Sequence, residues 1–458
     1  MHGRARAATW ICHAQLGPPQ SFAMTSRSTL SLFVALLSAA AMPAAPAPAI
    51  TVESNVPPYT LPDPLVCIDG TPVRDAATWQ ARRRPELLRL FAEHEYGRTP
   101  GGRPAAMHWA VTSVDRSALG GTATRKEVTI WFTAKRDGPQ MHLLIYQPNG
   151  LAAPPPVFLG LNFFGNHTVN ADPGIALAQP FIFFDAEHYR PALADMPVTS
   201  EQRGVHASKW QIEKVIARGY ATATAWCNDL CPDRGDSLLG AVPALFATGS
   251  SEDRADDAWG ALGAWAWGLS RALDYLESDR ELDAKRVAVH GFSRLGKAAD
   301  WAAAQDERFS MLVSFESGEG GAALSKRLYG ETVAIINGKF FYWFAKNFRR
   351  YNDNEAALPI DQHELMALIA PRPLYVTSAD GDQWSDPRGE FLGAKGAEPV
   401  YRLFGKAGLG VDEMPGLNTP VGGTIGYHDR TGKHDVTAYD WTCVLDFADR
   451  HLKQAGKT

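Results

Sequence analysis

The chain has 458 residues, a formal charge of −5, 45% hydrophobic residues and 21% charged ones. That is material for one large α/β domain or two ordinary ones, with a substantial core. The slightly acidic balance supplies no broad basic field, which argues against nucleic acid or an anionic membrane surface as partner and suits an uncharged or mildly charged substrate.

The first residues read as processing rather than fold. Arg27 precedes the apolar run Leu30 to Leu37, and small residues from Ala39 to Ala49 follow, so residues 1–49 are expected to be an N-terminal extension and signal peptide, with Met24 a sensible start. The run is shorter than the roughly 20 residues that a membrane-spanning helix needs. Secretion or delivery to the periplasm is therefore expected, with residues 50–458 forming one catalytic domain. In an oxidising compartment Cys67, Cys227, Cys231 and Cys443 could pair; Cys227 and Cys231 are close enough for a local bridge, and four free buried thiols remain equally open. No second Cys-x-x-Cys or nearby His pair completes a zinc ligand set, so no metal is expected.

Pro85 to His94 carries leucines at helical spacing. Lys126 to Phe132 and Met141 to Gln147 alternate apolar and polar residues around Asp137-Gly138, which predicts an antiparallel hairpin at a sheet edge. Val157 to Phe163 is an apolar run suited to a buried central strand, with Gly165-Asn166-His167 beyond its end, where α/β sheets carry ligand loops. Residues 171–208 lack periodicity and hold Asp185, His188, Arg190 and Arg203, predicting a long loop near the site. Trp210 to Arg218 reads as a helix and Tyr220 to Trp226 as a strand. Asp256 to Ser278 is the clearest helix, with Asp256 and Asp257 in its first turn opposing the dipole. Repeated alternation of strand and helix predicts an αβα sandwich around a mostly parallel sheet.

Val287-Ala-Val-His-Gly-Phe-Ser-Arg-Leu-Gly-Lys297 passes from a β-branched run to an alanine-rich helical stretch through Ser293. A serine on such a turn is lifted clear of both elements, facing the N–H groups of the new helix, which can stabilise an oxyanion. The hydroxyl is a weak nucleophile and needs an imidazole, which in turn needs a carboxylate to orient it. Met311 to Phe315 and Pro373 to Ser378 read as the next strands, and Asp382 lies at the end of the second. His363 and His451 fall on helical stretches. His428 and His434 share a Gly/Tyr-rich loop, residues 422–439, before a closing helix at 440–452, and position favours His434. Trp265 and Trp301 lie on apolar helical faces and read as core, and His290 as packed on the sheet.

Gly291-Phe-Ser-Arg-Leu-Gly-Lys297 resembles the Gly-Cys-Ser-Arg-x-Gly-Lys motif of the glucuronoyl esterases, carbohydrate esterase family fifteen. Ser314-Phe-Glu-Ser-Gly-Glu-Gly-Gly321 resembles their following acidic segment, and the likeness continues through Tyr342-Trp343-Phe344, Asn347-Phe348, Asp382, Trp384 and His434. The resemblance implies an α/β-hydrolase fold with Ser293 as nucleophile, His434 as base and Glu316 as the orienting acid. Arg294 would stabilise the oxyanion through its backbone N–H and guanidinium, and Lys297, Glu331 and Trp384 would hold hydroxyls of a glucuronoyl ring. Asp382 occupies the position most α/β hydrolases use, so it is an alternative or additional acid, with Glu316 preferred. Phe292 and Asp435 stand where fungal members carry cysteines that staple the nucleophile to the base, so packing must replace that bond here.

The implied activity is serine-esterase hydrolysis of (4-O-methyl-)glucuronic acid esters, such as lignin-carbohydrate links on glucuronoxylan, by a monomer that needs no cofactor. An acetyl xylan esterase and an inactive carbohydrate-binding relative are the competing readings.

Overall fold

Ten strands form one sheet in the order β1-β2-β3-β5-β4-β6-β7-β8-β10-β9. They are β1 (His108–Ala118), β2 (Ala123–Trp131), β3 (Gln140–Pro148), β4 (Val157–Asn162), β5 (Ala221–Trp226), β6 (Val287–Phe292), β7 (Met311–Phe315), β8 (Leu374–Ala379), β9 (Val421–Gly422) and β10 (Ile425–Arg430). The computed structural model describes residues 48–178, 198–235, 238, 241–246 and 254–453. Nearly all of the expected signal segment, and Asp185, His188 and Arg190, lie outside the described residues.

Strands β5, β4, β6, β7, β8 and β10 run parallel, while β1, β2, β3 and β9 add antiparallel pairings at the two ends. The parallel strands are buried along their whole length except for Phe292, because helices cover both faces of such a sheet. From β4 the chain steps to β5 on one side, then returns to place β6 on the other side of β4. That reversal opens a crevice at the carboxyl ends of β4 and β6, the ordinary ligand position in this architecture.

Several elements differ from the sequence expectations. The β2–β3 hairpin forms, but it is not the edge: β1 pairs outside β2, and β3 pairs with β5. The clearest helix spans Ala261–Leu276 and starts at Gly260, where a Cβ would lie 2.1 Å from the Trp343 carbonyl oxygen. Asp256 and Asp257 therefore precede it; Asp256 pairs with Arg350 at 3.0 Å, and the Asp257 carbonyl accepts the Arg98 N–H at 2.8 Å. Apart from Ser270 that helix is buried on every side, Trp265 and Trp267 included. The helix expected from Trp210 breaks at Gln211 (φ 47°) into Ala207–Trp210 and Ile212–Ala217. The region read as a loop at 422–439 contains β10, which pairs in parallel with β8 and carries His428. Cys67, Cys227, Cys231 and Cys443 are all buried, and no disulfide joins any two of them. Among the described residues no helix is long and apolar enough to cross a membrane.

Backbone approach fixes the turn after β6. A Cβ on Gly291 would sit 2.0 Å from the Leu295 carbonyl oxygen, a clash with main chain that no rotamer relieves. Gly291→Ala is expected to destabilise the protein by about 1–3 kcal/mol or more, read as a lowered Tm in thermal unfolding.

Candidate active site

Ser293 joins β6 to the helix Arg294–Gln305 with φ 57° and ψ −130°. A non-glycine residue held there costs roughly 1–3 kcal/mol, which the surroundings must offset. Its N–H donates to the Phe315 carbonyl at 2.9 Å, and its carbonyl accepts from the N–H groups of Gly296 (2.8 Å) and Lys297 (3.2 Å). The elbow helix therefore starts directly from the serine.

A cavity of about 230 Å³ opens in front of Ser293, lined among others by Phe163, Phe164, Trp210, Phe292, His434 and Trp441. Phe163 and Phe164 follow β4 directly, so the cavity occupies the crevice that the strand order creates. Its walls are chiefly apolar. Ser293 and His434 share this cavity without a hydrogen bond between hydroxyl and imidazole, a contact that commonly closes only when substrate is present.

His434 Nδ1 lies 2.6 Å from Asp382 Oδ2 and 3.1 Å from Glu316 Oε2. Both carboxylates thus reach one ring nitrogen, and the shorter contact belongs to Asp382, not to the preferred Glu316. Glu316 has other partners: its Oε1 accepts from Arg430 at 2.6 Å and its Oε2 from the Asp435 N–H at 3.1 Å. Burial pushes the Glu316 carboxyl up to about 7, against the opposing pull of His434 and Arg430. Burial works on Asp382 in the same direction, yet its bond and charge contact with His434 hold it below its ordinary value. For His434 itself burial favours the neutral ring, but the two carboxylates outweigh it and raise the pKa to about 9.

The Arg294 guanidinium is ion-paired with Asp233, which also accepts from the Tyr342 hydroxyl and Trp343 Nε1, each at 2.8 Å. Rings of Trp343, Phe340 and Phe163 lie 5.0, 5.5 and 5.6 Å from its central carbon. The cation is thereby fixed beside the cavity, and its Nε is buried with no hydrogen-bond partner among the described residues.

None of the expected sugar-contacting residues lines the apolar cavity. The Glu331 N–H donates to the Trp384 carbonyl at 2.9 Å, which brings these two together. Lys297 is buried and donates from Nζ to the Ser317 carbonyl. Burial lowers its pKa against the attraction of Glu331, Glu319 and Glu390. Trp384 is 40% exposed, with the Lys339 ammonium 4.5 Å above one face.

Three further histidines are held by structural contacts. His428 is buried between Asp440 (2.9 Å) and the Tyr375 hydroxyl (2.9 Å), and His363 contacts the Pro62 carbonyl. His290 packs among Phe158, Trp210, Phe315 and Trp441, and burial drops its pKa to about 3. Sequence reasoning missed Arg430, Asp233 and the Phe163-Phe164 pair; the last had a signal, its place just past an apolar strand. The ligand atoms of Glu316, Asp382 and His434 lie within 4.8 Å of one another, close enough to bridge a metal ion. A cation there would have to displace both the Arg430 guanidinium and the imidazole proton from those oxygens.

Because an anion beside an imidazole raises its pKa, removing either carboxylate must lower it. NMR titration should find the His434 imidazole still protonated well above the ordinary value of about 6.5. Asp382→Asn should lower that pKa more than Glu316→Gln does, since it removes the shorter contact.

A family model described as "Glucuronyl esterase, fungi" matches residues 253–405. A carbohydrate esterase named MZ0003, from an unidentified prokaryote, is 47% identical over 87% of this chain and 91% of its own length. A solved glucuronoyl esterase from Solibacter usitatus is 49% identical and superposes with a TM-score of 0.81 over 87% of this chain and 99% of that one. A 4-O-methyl-glucuronoyl methylesterase from Podospora anserina is 27% identical over 80% of this chain and 67% of its own.

Proposed function

The chain belongs to the glucuronoyl esterases of carbohydrate esterase family 15, and on that premise we propose that it hydrolyses esters of glucuronic acid through a serine acyl-enzyme. The observation that carries the mechanism is the convergence on one cavity of Ser293, Arg294 and His434, the last with two carboxylates behind it.

In this reading Ser293 Oγ attacks the uronoyl carbonyl while its proton passes to His434 Nε2. The carbonyl oxygen gains the negative charge between the Arg294 N–H and guanidinium, where a donor fixed beforehand costs no reorganisation during reaction. Collapse breaks the bond to the alcohol oxygen, which leaves with the proton held by His434. Water then adds to the glucuronoyl-enzyme, giving one proton to His434 and the other to the released acid, and the serine is restored by return of the imidazole proton. Asp382, ionised by its contact with the ring, is the better placed acid, and Glu316 adds a second anion.

Two groups of residues suit the two halves of such an ester. Lys297, Glu331 and the exposed ring of Trp384 offer donors, acceptors and a flat apolar surface to a sugar. The cavity under Phe163 and Phe164 offers an apolar receptacle for the alcohol. Together these favour links between a glucuronic acid branch of xylan and an aromatic lignin alcohol. The apolar run before residue 50 supports export.

Ser293→Ala should keep the fold and lower turnover by roughly 10⁴–10⁶-fold. The wild type should hydrolyse an alkyl glucuronate ester and leave acetylated xylan intact; acetate release with the uronate ester untouched would transfer the protein to the acetyl esterases. Phe164→Ala should raise KM for a benzyl glucuronate ester by roughly 5- to 20-fold, from an apolar contact of about 1–2 kcal/mol, and change KM for the methyl ester little. Equal effects on both esters would remove the alcohol from this cavity.

A further inference from the structure

Arg430 is the last residue of β10 and its side chain is 4% exposed. It meets five acceptor groups of the catalytic loop and its supports. Nη2 donates to Glu316 Oε1 at 2.6 Å, to the Lys433 carbonyl at 2.9 Å and to the Asp435 carbonyl. Nε donates to both oxygens of Asp440, at 3.1 and 2.9 Å, and Nη1 reaches the Thr431 carbonyl at 3.5 Å. The carbonyls of Lys433 and Asp435 flank His434 on either side. Asp440 in turn accepts from the Thr437 N–H and hydroxyl, each at 2.7 Å, and so ties the end of the same loop to the closing helix Ala438–His451. The sequence makes room for this: a Cβ on Gly432 would lie 2.6 Å from Arg430 Nη1.

From this geometry we infer that Arg430 is the positioning residue of His434, seating its loop through the two flanking carbonyls and offsetting, by the charge it holds beside the cluster, part of the negative charge that the carboxylates set against the imidazole. Without a cation, two buried carboxylates on one ring nitrogen would hold the imidazolium more tightly still and raise its pKa further. The guanidinium fork matches both tasks at once, because it supplies several directed N–H groups and a charge that does not titrate.

Other charged groups face the same cluster. Lys209, from the helix Ala207–Trp210, pairs with Asp435 and feels both Glu316 and Arg430. Glu390, on the helix Pro387–Gly396, is buried against Gly318 and Ser378 and feels Asp382 and Glu316. Asp429 precedes Arg430 on β10 and feels Asp380 and Glu316. Of these cations Arg430 alone contacts a carboxylate that touches the ring.

The inference rests on His434 being the base, so its test reads the imidazole directly by NMR as well as through kinetics. Glu316→Gln serves as background because the glutamine cannot titrate. Adding Arg430→Gln to it removes a cation with no compensating protonation, and the His434 pKa should rise by about one unit. An unchanged pKa overturns the charge role. Arg430→Lys in the wild-type background keeps the charge but not the fork, so the imidazole pKa should stay while kcat falls roughly 10- to 100-fold at unchanged KM. Full activity in Arg430→Lys overturns the seating role, and this variant also serves if the glutamine protein does not fold. Should the imidazole titrate as expected while the acid limb of kcat/KM stays fixed, the assignment of His434 as base fails and the inference about its charge stands.

Discussion

Two carboxylates, Glu316 and Asp382, are buried against one nitrogen of His434, and that arrangement is tolerable only because charge and hydrogen bonds are supplied from every side. The sheet solves the placement. β6, β7, β8 and β10 are neighbours, and at or just beyond their carboxyl ends they carry Ser293, Glu316, Asp382 and Arg430, one from each, with His434 a few residues past the last. Parallel pairing brings these ends to one rim without any of the residues being close in sequence. The constraint then propagates outward, through Asp440 to the closing helix and through the Asp435 side chain to Lys209.

How much of this was legible follows from what each residue's signal depends on. The elbow could be read because the change from β-branched to alanine-rich residues across Gly291 and Gly296 is local. His434 could be read from its place before the last helix. β10 could not. Its sequence, Ile-Gly-Tyr-His-Asp-Arg, is half polar, yet all six residues are buried, with partners outside the strand meeting two of the polar ones: Asp440 and Tyr375 for His428, Glu316 and Asp440 for Arg430. Apolar periodicity detects strands whose burial is apolar, and fails where buried polar groups satisfy one another. The same limit hid the charge clamp.

The misplaced helix start has a different cause. Asp256 and Asp257 look like first-turn charges, but the start is fixed by how closely Gly260 approaches the Trp343 backbone, a contact across 83 positions that no local pattern records. β1 escaped notice because Val111 and Val114 are about half exposed and its polar residues face solvent, which blurs the alternation. The preference between the acids also turned on distance. Family position pointed to Glu316, whereas the shorter contact is with Asp382, since Glu316 is shared with Arg430 and the Asp435 N–H.

Where some relatives join nucleophile and base by a disulfide, this chain uses side-chain packing. Phe292 lies against His434 with ring centroids 4.4 Å apart, and Lys209 pairs with Asp435 while its ammonium sits 5.3 Å from the Phe292 ring. Nothing in that connection is reducible, and no disulfide joins any two of Cys67, Cys227, Cys231 and Cys443. The catalytic rim is thus indifferent to thiols and needs no oxidative maturation, so it can assemble as completely in a reducing cell interior as outside it. Its vulnerability lies instead with ionic strength, which weakens the partly exposed Lys209–Asp435 pair.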